Sequence, residues 1–384
     1  MAPLLALALL AVPQLPDDPP RLRTILPNGA VILVERMPKA KTISASLWIS
    51  SRGTEESAET HGLRHMAEHL MAARPGIDAK LESKGSILLA QTLRDGMQFE
   101  VRGPSSEPID LALETLFAVA SPMKVDAERI IVEAKTLVQE LALAEGPSLF
   151  ARAAWSASYG AQGLDPLGNS TAFGQATPAR LGNLVSRMLV GSNLVVVVAG
   201  PVSIDDTIAK IRPWLSAFPK SAPAPFSARK ANSAGDAEVE ASGAAVGRAV
   251  DAYNDESTLA IFAGALACAS EVSNSFVTYT PSIRPGLVTA GQTDGSELTG
   301  KLGAASQASF AYTFGKPLAK RWVNRFLQSP SGVTYLRGLL LCQSSDATPE
   351  AMLSGIDSLN YRTFEPAWRS WTSPDAVRLN GVFK

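Results

Sequence analysis

The chain carries the segment Gly62-Leu63-Arg64-His65-Met66-Ala67-Glu68-His69, and its three histidines, at positions 61, 65 and 69, all fall within nine residues. His65 and His69 are four residues apart, so on a helix both imidazoles project from one face and can reach a single Zn²⁺ at about 2.0–2.1 Å. Glu68 borders the same face and is placed to take a proton from an attacking water. The order His-x-x-Glu-His is a catalytic zinc pattern, the reverse of the commoner one.

A helix is indeed the expected structure here, because apolar residues recur at positions 63, 66 and 70. We expect it to run from Thr60, as its N-cap, to Ala73, before the break at Pro75-Gly76. The competing interpretation is a solvated amphipathic helix with ordinary surface histidines and glutamates. The lack of histidines elsewhere in the chain disfavours that alternative.

A catalytic zinc needs a third protein ligand and one open position. His61 has helical spacing to His65 but lies in the first turn. A second long helix is predicted between the cap residue Asp126 and a stop at Gly146, and on it Glu133 and Glu140 are seven residues apart, two turns along one face. Each glutamate could also be an ordinary surface charge, so the residues alone leave the third ligand open.

The rest of the chain divides into two predicted units. Strands and helices alternate over 20–218, as one layered unit requires, with strand patterns at 26–35, 43–49, 97–101 and 194–200. Residues 219–240 are rich in Ala, Ser, Pro and Lys and are predicted to be a linker. The second unit, 241–384, has helix patterns at 259–269, 319–327 and 332–341 and a strand pattern at 276–279.

The net charge, the N-terminal apolar run and the two cysteines indicate which partners and which location to expect. The formal net charge is −1 with both signs scattered, which disfavours a nucleic-acid partner. The apolar run Met1–Val12 is too short to span a bilayer and predicts a signal peptide over residues 1–15, hence a secreted or periplasmic protein without a stable membrane span. Cys268 and Cys342 fit either a disulfide or two buried thiols.

Over residues 22–218 the sequence resembles the pitrilysin/insulinase family of zinc metallopeptidases, which includes the mitochondrial processing peptidases and bacterial relatives. The resemblance rests on ordered motifs: Leu26-Pro27-Asn28-Gly29, Ser51-Arg52-Gly53-Thr54-Glu55-Glu56, the histidine segment, Glu133 to Glu140, Tyr159-Gly160, Asp165-Pro166-Leu167-Gly168 and Gly191-Ser192-Asn193-Leu194.

The resemblance implies an α+β fold of two related halves, joined by the linker and facing each other like a clam. It implies that Glu140 is the third zinc ligand, with Glu145 as the fallback, and that Glu133 is a second carboxylate that orients the site. It also implies that the peptide substrate binds as an added strand beside the zinc. Where the family often has an Asn on that edge, this chain has Leu89.

The predicted function is zinc-dependent endopeptidase action on peptides or unfolded polypeptides outside the cytoplasm. The alternative is a non-catalytic or partner-dependent subunit, or a peptide-binding protein of the same fold. In the second half, Tyr279 is the residue that the resemblance suggests for substrate binding, but no Arg precedes it at the family interval and Arg284 follows it instead. We therefore expect a homo- or heterodimer with a subunit of the same fold.

Overall fold

A computed structural model describes residues 20–122, 125–232 and 235–382. The predicted signal peptide over residues 1–15 lies outside these residues. Two β-sheets organise the described chain, one of six strands in the order β1-β2-β6-β3-β5-β4 and one of five in the order β7-β11-β8-β10-β9. The strands are β1 (Arg21–Ile25), β2 (Val31–Arg36), β3 (Thr42–Ser50), β4 (Ile87–Thr92), β5 (Gly96–Pro104), β6 (Leu194–Gly200), β7 (Asp236–Val239), β8 (Ala244–Val250), β9 (Ser275–Tyr279), β10 (Gly286–Gln292) and β11 (Val377–Gly381).

Helices cover both sheets and connect most of the strands. They are α1 (Leu63–Ala72), α2 (Ile77–Glu82), α3 (Ile109–Ala120), α4 (Ala127–Ala142), α5 (Gly146–Tyr159), α6 (Ser170–Gly174), α7 (Pro178–Met188), α8 (Ile204–Ser216), α9 (Glu256–Ala269), α10 (Glu297–Lys301), α11 (Ala308–Leu327), α12 (Pro330–Leu341), α13 (Pro349–Ser358) and α14 (Tyr361–Arg369). The α+β class predicted from the sequence is confirmed.

The first sheet is built around β6, which pairs with β2 in parallel and with β3 antiparallel. All seven residues of β6 are buried, as its continuous apolar sequence predicts. The opening hairpin is also confirmed: β1 pairs antiparallel with β2, and Gly29 in the turn has a φ of 92°, a conformation that glycine adopts without a steric cost. At the other end of the sheet, β4 pairs with β5 and forms an edge.

Each sheet receives a helix from the other half of the chain. Helix α12, near the C-terminus, packs on β3 and β6 of the first sheet, whereas α5 packs on β8 and β11 of the second. The Trp48 indole on β3 donates a 3.0 Å hydrogen bond to the Thr334 carbonyl of α12. The Tyr159 hydroxyl of α5 donates one of 2.5 Å to the Gly286 carbonyl of β10. Each half of the chain therefore contributes one helix that packs on the sheet of the other half, and these contacts hold the two sheets together.

Two predicted helix ends are wrong. Thr60 is not the N-cap of α1, because its hydroxyl accepts a 3.2 Å hydrogen bond from the Ser57 amide, and Gly62 occupies the cap with a φ of 77°. Gly146 does not simply stop the second helix. Helix α4 ends at Ala142, and Gly146 begins α5 one short turn later, since the following proline suits a first helical turn.

Three further expectations bear on the chain as a whole. Cys268 and Cys342 are both buried and unpaired, so they are separate thiols. The segment predicted as a linker, 219–240, has no helix or strand from 219 to 232 but contributes β7 to the second sheet. None of the helices in the described residues combines the length and apolar character that crossing a bilayer requires.

Candidate metal centre

Helices α1 and α4 bring His65, His69 and Glu140 to one point. Oε2 of Glu140 lies 3.4 Å from Nε2 of His65 and 3.4 Å from Nε2 of His69. One ligand atom from each of the three residues falls within 4.8 Å of the others. The Glu140 side chain keeps 45 % of its surface exposed while the two rings are mostly covered, so the cluster opens to solvent on the glutamate side.

The other ring nitrogen of each histidine is already engaged. Nδ1 of His65 lies 3.1 Å from the Leu167 carbonyl, and Nδ1 of His69 lies 3.3 Å from Oε2 of Glu133. Each acceptor favours the tautomer with its proton on Nδ1, which leaves both Nε2 lone pairs directed at Glu140. Burial lowers the pKa of His65, which further favours the neutral imidazole that a metal needs.

The donor set fits zinc. Ligands at about 2.0–2.1 Å from a tetrahedral ion lie roughly 3.3 Å from one another, close to the separations of Glu140 from the two imidazoles. Two imidazoles and one carboxylate are a known set for a catalytic zinc, which leaves the fourth position for water or substrate. The three residues could therefore hold one Zn²⁺.

Glu68 lies next to these groups but is held apart from them. Its Oε2 accepts a 2.6 Å hydrogen bond from the Thr92 hydroxyl at the end of β4. Burial raises the pKa of Glu68 to about 7, although the Thr92 hydrogen bond opposes the shift. A carboxyl with such a pKa can both accept and release a proton near neutral pH.

The start of α1 is fixed by a residue whose role the sequence did not reveal. Oε2 of Glu56 accepts a 2.7 Å hydrogen bond from the Gly62 amide, and its Oε1 pairs with Nε of Arg64 at 3.0 Å. A side chain at Gly62 would collide with Gly168, because an added Cβ would lie 2.7 Å from its Cα. This close approach brings the loop that carries Leu167 against α1, where it meets His65.

The remaining predicted residues lie elsewhere. His61 is turned to the neighbouring loop, with Nε2 2.7 Å from the Asp165 carbonyl and Nδ1 3.2 Å from the side-chain nitrogen Nδ2 of Asn169. Glu145 is exposed and occupies the N-cap of α5. In the described part of the chain, neither residue joins the cluster of possible metal ligands.

The two second-half candidates are both engaged in other contacts. The Tyr279 ring packs between Phe262 and Trp322, and its buried hydroxyl has no hydrogen-bond partner among the described residues. Arg284 is buried in ion pairs with Asp95 and, at 3.4 Å, with Glu55. These positions do not support contact between the Tyr279 hydroxyl and a substrate.

About half of the chain is similar in sequence to known peptidases. The chain is 25 % identical over 199 residues to a probable mitochondrial-processing peptidase subunit beta of Arabidopsis thaliana, covering 49 % of this chain and 37 % of that protein. It is 26 % identical over 212 residues to an uncharacterized zinc protease of Mycobacterium tuberculosis, covering 51 % and 48 %. The matched segments thus span less than half the length of these relatives. No family model matches the chain.

Solved structures match almost the whole chain. A protease from Helicobacter pylori superposes with a TM-score of 0.80 at 16 % identity, covering 94 % of this chain and 99 % of that one. A peptidase M16 inactive domain from Pseudomonas fluorescens gives a TM-score of 0.71 at 15 % identity, covering 95 % and 99 %. The chain therefore has the two-sheet α+β fold of M16-like peptidases. The resemblance to the pitrilysin/insulinase family that the sequence motifs indicate is confirmed.

Proposed function

We propose that this protein is a zinc-dependent endopeptidase that hydrolyses peptides or unfolded polypeptides. The observation that carries the proposal is the position of Glu140, whose Oε2 lies 3.4 Å from Nε2 of both His65 and His69. Zinc proteases among the relatives support the choice of metal. When bound by these three residues, Zn²⁺ would supply Lewis-acid polarisation of the scissile carbonyl and lower the pKa of water.

The other side chains would prepare and complete the reaction. Glu68 would accept the proton of the attacking water and deliver it to the leaving amine, a role that a carboxyl with a pKa of about 7 suits. Glu133 would orient His69 through Nδ1, and the Leu167 carbonyl would orient His65 in the same way. Removal of such an orienting group typically weakens metal binding by about 10–100-fold.

The edge of the first sheet offers a place for the peptide. Strand β4 pairs on one side with β5, contacts α1, and ends at Thr92, the residue that holds Glu68. A substrate added as a strand along β4 would run past the general base, and its backbone would supply most of the contacts. Ile87 and Leu89 on this strand are exposed and could line such a groove.

The deciding experiment measures metal and activity together. The purified chain should hold one zinc per molecule and cleave an unstructured peptide, with activity lost to a chelator and restored by zinc. His65→Gln should remove both the metal and the activity, whereas His61→Gln, a matched change in the turn before α1, should keep both. A chain that binds no zinc, or cleavage that survives the chelator, would overturn the proposal.

A second candidate function is a non-catalytic or partner-dependent subunit. It is favoured by the match to an M16 inactive domain and by the buried position of the Tyr279 hydroxyl. The two candidates differ in an observable way, because a peptide-binding subunit would hold peptide without cleaving it even when loaded with zinc. The intact set of His65, Glu68, His69 and Glu140 supports the enzyme.

The partner and the location are proposals of the same kind. We propose that a second subunit of the same fold, identical or different, completes the substrate site. We also propose that the apolar run Met1–Val12 directs export, so that the protein acts in the periplasm or outside the cell. The amino-terminal sequence of the mature protein from an exporting cell tests the second point, since uncleaved protein retained in the cytoplasm would contradict it.

A further inference from the structure

A cavity of about 230 Å³ lies between the two halves of the chain, beside the metal centre. Its walls come from the turn between β4 and β5, from one side of α5, from the loop around 165–167 and from residues 280 and 282 of the second half. This volume is below the roughly 300–1,000 Å³ of a site for a drug-sized ligand. It suits a single side chain or chain end of a bound peptide.

Two lining residues connect the cavity directly to the catalytic groups. Thr92 donates its hydroxyl to Glu68, and Leu167 accepts from His65 through its carbonyl. A peptide residue next to the scissile bond would therefore have this cavity within reach of its side chain.

Three arginines line the cavity, and two of them are neutralised. Nε of Arg152 lies 2.6 Å from the Asp165 carboxylate, and Nη2 of Arg229 lies 2.6 Å from that of Asp95. Arg94 makes no ion pair among the described residues. Its Nη1 donates to the carbonyls of Gly163, at 3.0 Å, and Leu164, and these are neutral acceptors.

The Arg94 guanidinium is also positioned firmly. It lies over the ring of Trp155, with 4.3 Å between its Cζ and the ring centroid. Its Nε and Nη2 atoms have no hydrogen-bond acceptor in the described part of the chain. Burial lowers the pKa of Arg94 to about 10, so the group stays charged at neutral pH. The cavity therefore contains one fixed cation with donors to spare, while the two carboxylates that line it, Asp95 and Asp165, are paired with other arginines.

We propose that this cavity is a specificity subsite for a carboxylate of the peptide, held by Arg94. The inference rests on the proposed peptidase function and adds to it the class of substrate. A carboxylate would accept hydrogen bonds from Nε and Nη2 in the forked geometry that guanidinium groups favour, and would place an opposite charge beside the Arg94 cation. Arg94 is thus a specificity-determining residue and takes no part in bond cleavage.

The carboxylate has two chemical sources in a peptide, an Asp or Glu side chain or the free C-terminus. Four versions of one unstructured peptide distinguish the two sources. Two carry Glu beside the cleaved bond and two carry Gln, and each pair has one member with a C-terminal acid and one with a C-terminal amide. We expect kcat/KM to favour Glu over Gln by about tenfold or more, with most of the difference in KM. A preference that follows the C-terminal acid instead would assign the subsite to the chain end.

Variants of Arg94 test the assignment through the ratio of kcat/KM for the Glu peptide to kcat/KM for the Gln peptide. Partial misfolding lowers both values equally and leaves this ratio unchanged. Arg94→Gln should reduce the preference for the carboxylate peptide to about one, and Arg94→Lys should retain part of it because the charge remains. Arg212→Gln, which changes an exposed arginine on α8, should leave the wild-type ratio intact. A preference of about one in the wild type, or an unchanged preference in Arg94→Gln, would overturn the proposal.

A binding experiment separates failure of this inference from failure of the proposed function. Calorimetric titration of the Glu68→Gln chain with the same peptides requires no turnover. The Glu68→Gln chain should bind the carboxylate peptide more tightly than the amide peptide, and this difference should disappear when Arg94→Gln is introduced into the same chain. That result supports the subsite even if no version of the chain cleaves peptide. Cleavage without any such difference in binding or rate contradicts the subsite and leaves the peptidase function standing.

Discussion

The Thr92 hydroxyl donates a 2.6 Å hydrogen bond to Oε2 of Glu68, and this contact joins the edge strand β4 to the helix that carries both histidines. Strand and helix are therefore held in a fixed relationship beside Glu68, the proposed general base. Glu68 is only 5 % exposed, and among the described residues the Thr92 hydroxyl is the one group that hydrogen-bonds its carboxylate. The arrangement makes the orientation of Glu68 depend on a residue that would not touch the metal.

Glu68→Gln should abolish hydrolysis while zinc stays bound. An amide cannot accept the proton of the attacking water, yet its size keeps His65, His69 and Glu140 in place. We expect a loss in kcat of at least ~10²-fold, the lower end of what a positioned base contributes. Metal content is measured on the same preparation. A variant that cleaves as fast as the parent would show that Glu68 is not the base.

Thr92→Val should lower kcat by about tenfold without changing metal content, because a hydrogen bond to a charged group contributes ~1.5 kcal/mol or more. Thr92→Ser is the matched control, since it keeps the hydroxyl and should retain most of the activity. Steady-state kinetics on a neutral peptide measure both variants. Equal loss in the valine and serine variants would indicate a packing effect and not the hydrogen bond.

Glu140→Ala should remove zinc or weaken its binding strongly, whereas Glu145→Ala should not. Glu140 lies 3.4 Å from each imidazole, but Glu145 is exposed at the start of α5. Titration with a chelator of known affinity compares the two variants. The opposite pattern of metal contents would move the third ligand to Glu145.

Asp95→Asn should destabilise the fold by roughly 3–5 kcal/mol at neutral pH, because it leaves the buried cations of Arg229 and Arg284 without their carboxylate. Burial alone would raise the pKa of Asp95, but the two arginines hold it well below its usual range. The carboxylate therefore stabilises the fold above the unfolded-state pKa of about 3.9, and that stabilisation is lost as the pH falls from there toward the folded pKa.

Urea unfolding of the wild type and Asp95→Asn at several pH values checks both statements. The difference between the two free energies of unfolding should be largest at pH 7 and should shrink below about pH 4. Asp78→Asn, at an exposed carboxylate on α2, serves as the control and should show neither effect. A difference that is independent of pH would contradict the assigned charge state.

The chain alone should be a slow peptidase, and a second subunit of the same fold should accelerate it. Arg284 is committed to Asp95 and Glu55, and the Tyr279 hydroxyl is buried, so neither presents a donor to a developing oxyanion. One such donor contributed roughly 2.7–4 kcal/mol in a well-studied hydrolase. Specific activity is measured over a range of concentrations, alone and with a same-fold subunit. Full activity from a demonstrated monomer would rule the requirement out.

Much of the first half could be predicted because its signals are local. The alternation at 43–49, the continuous apolar run at 194–200 and the Asn28-Gly29 turn each depend on neighbours a few residues apart. The helix cap at Asp126 is a local signal of the same kind, and its side chain accepts a 2.8 Å hydrogen bond from the Arg129 amide. The Thr60 cap was wrong because a more distant partner, Glu56, binds the Gly62 amide.

The sequence by itself determined the helix with its paired histidines, the adjacent Glu68 and the two glutamates one heptad apart, since helical periodicity depends only on local backbone geometry. Only the tertiary structure decided the rest. The alternation of β3 predicts one solvated face, yet Trp48 on that face is fully buried because α12 arrives from the other half of the chain.

The pairing of charges around the proposed carboxylate subsite also depends on the tertiary structure. Asp95 meets Arg229 and Arg284, which are 134 and 189 positions away, while Arg94 beside it receives no carboxylate. Ion pairing between residues so far apart depends on how two sheets and their exchanged helices pack, and no local pattern in the sequence records that packing.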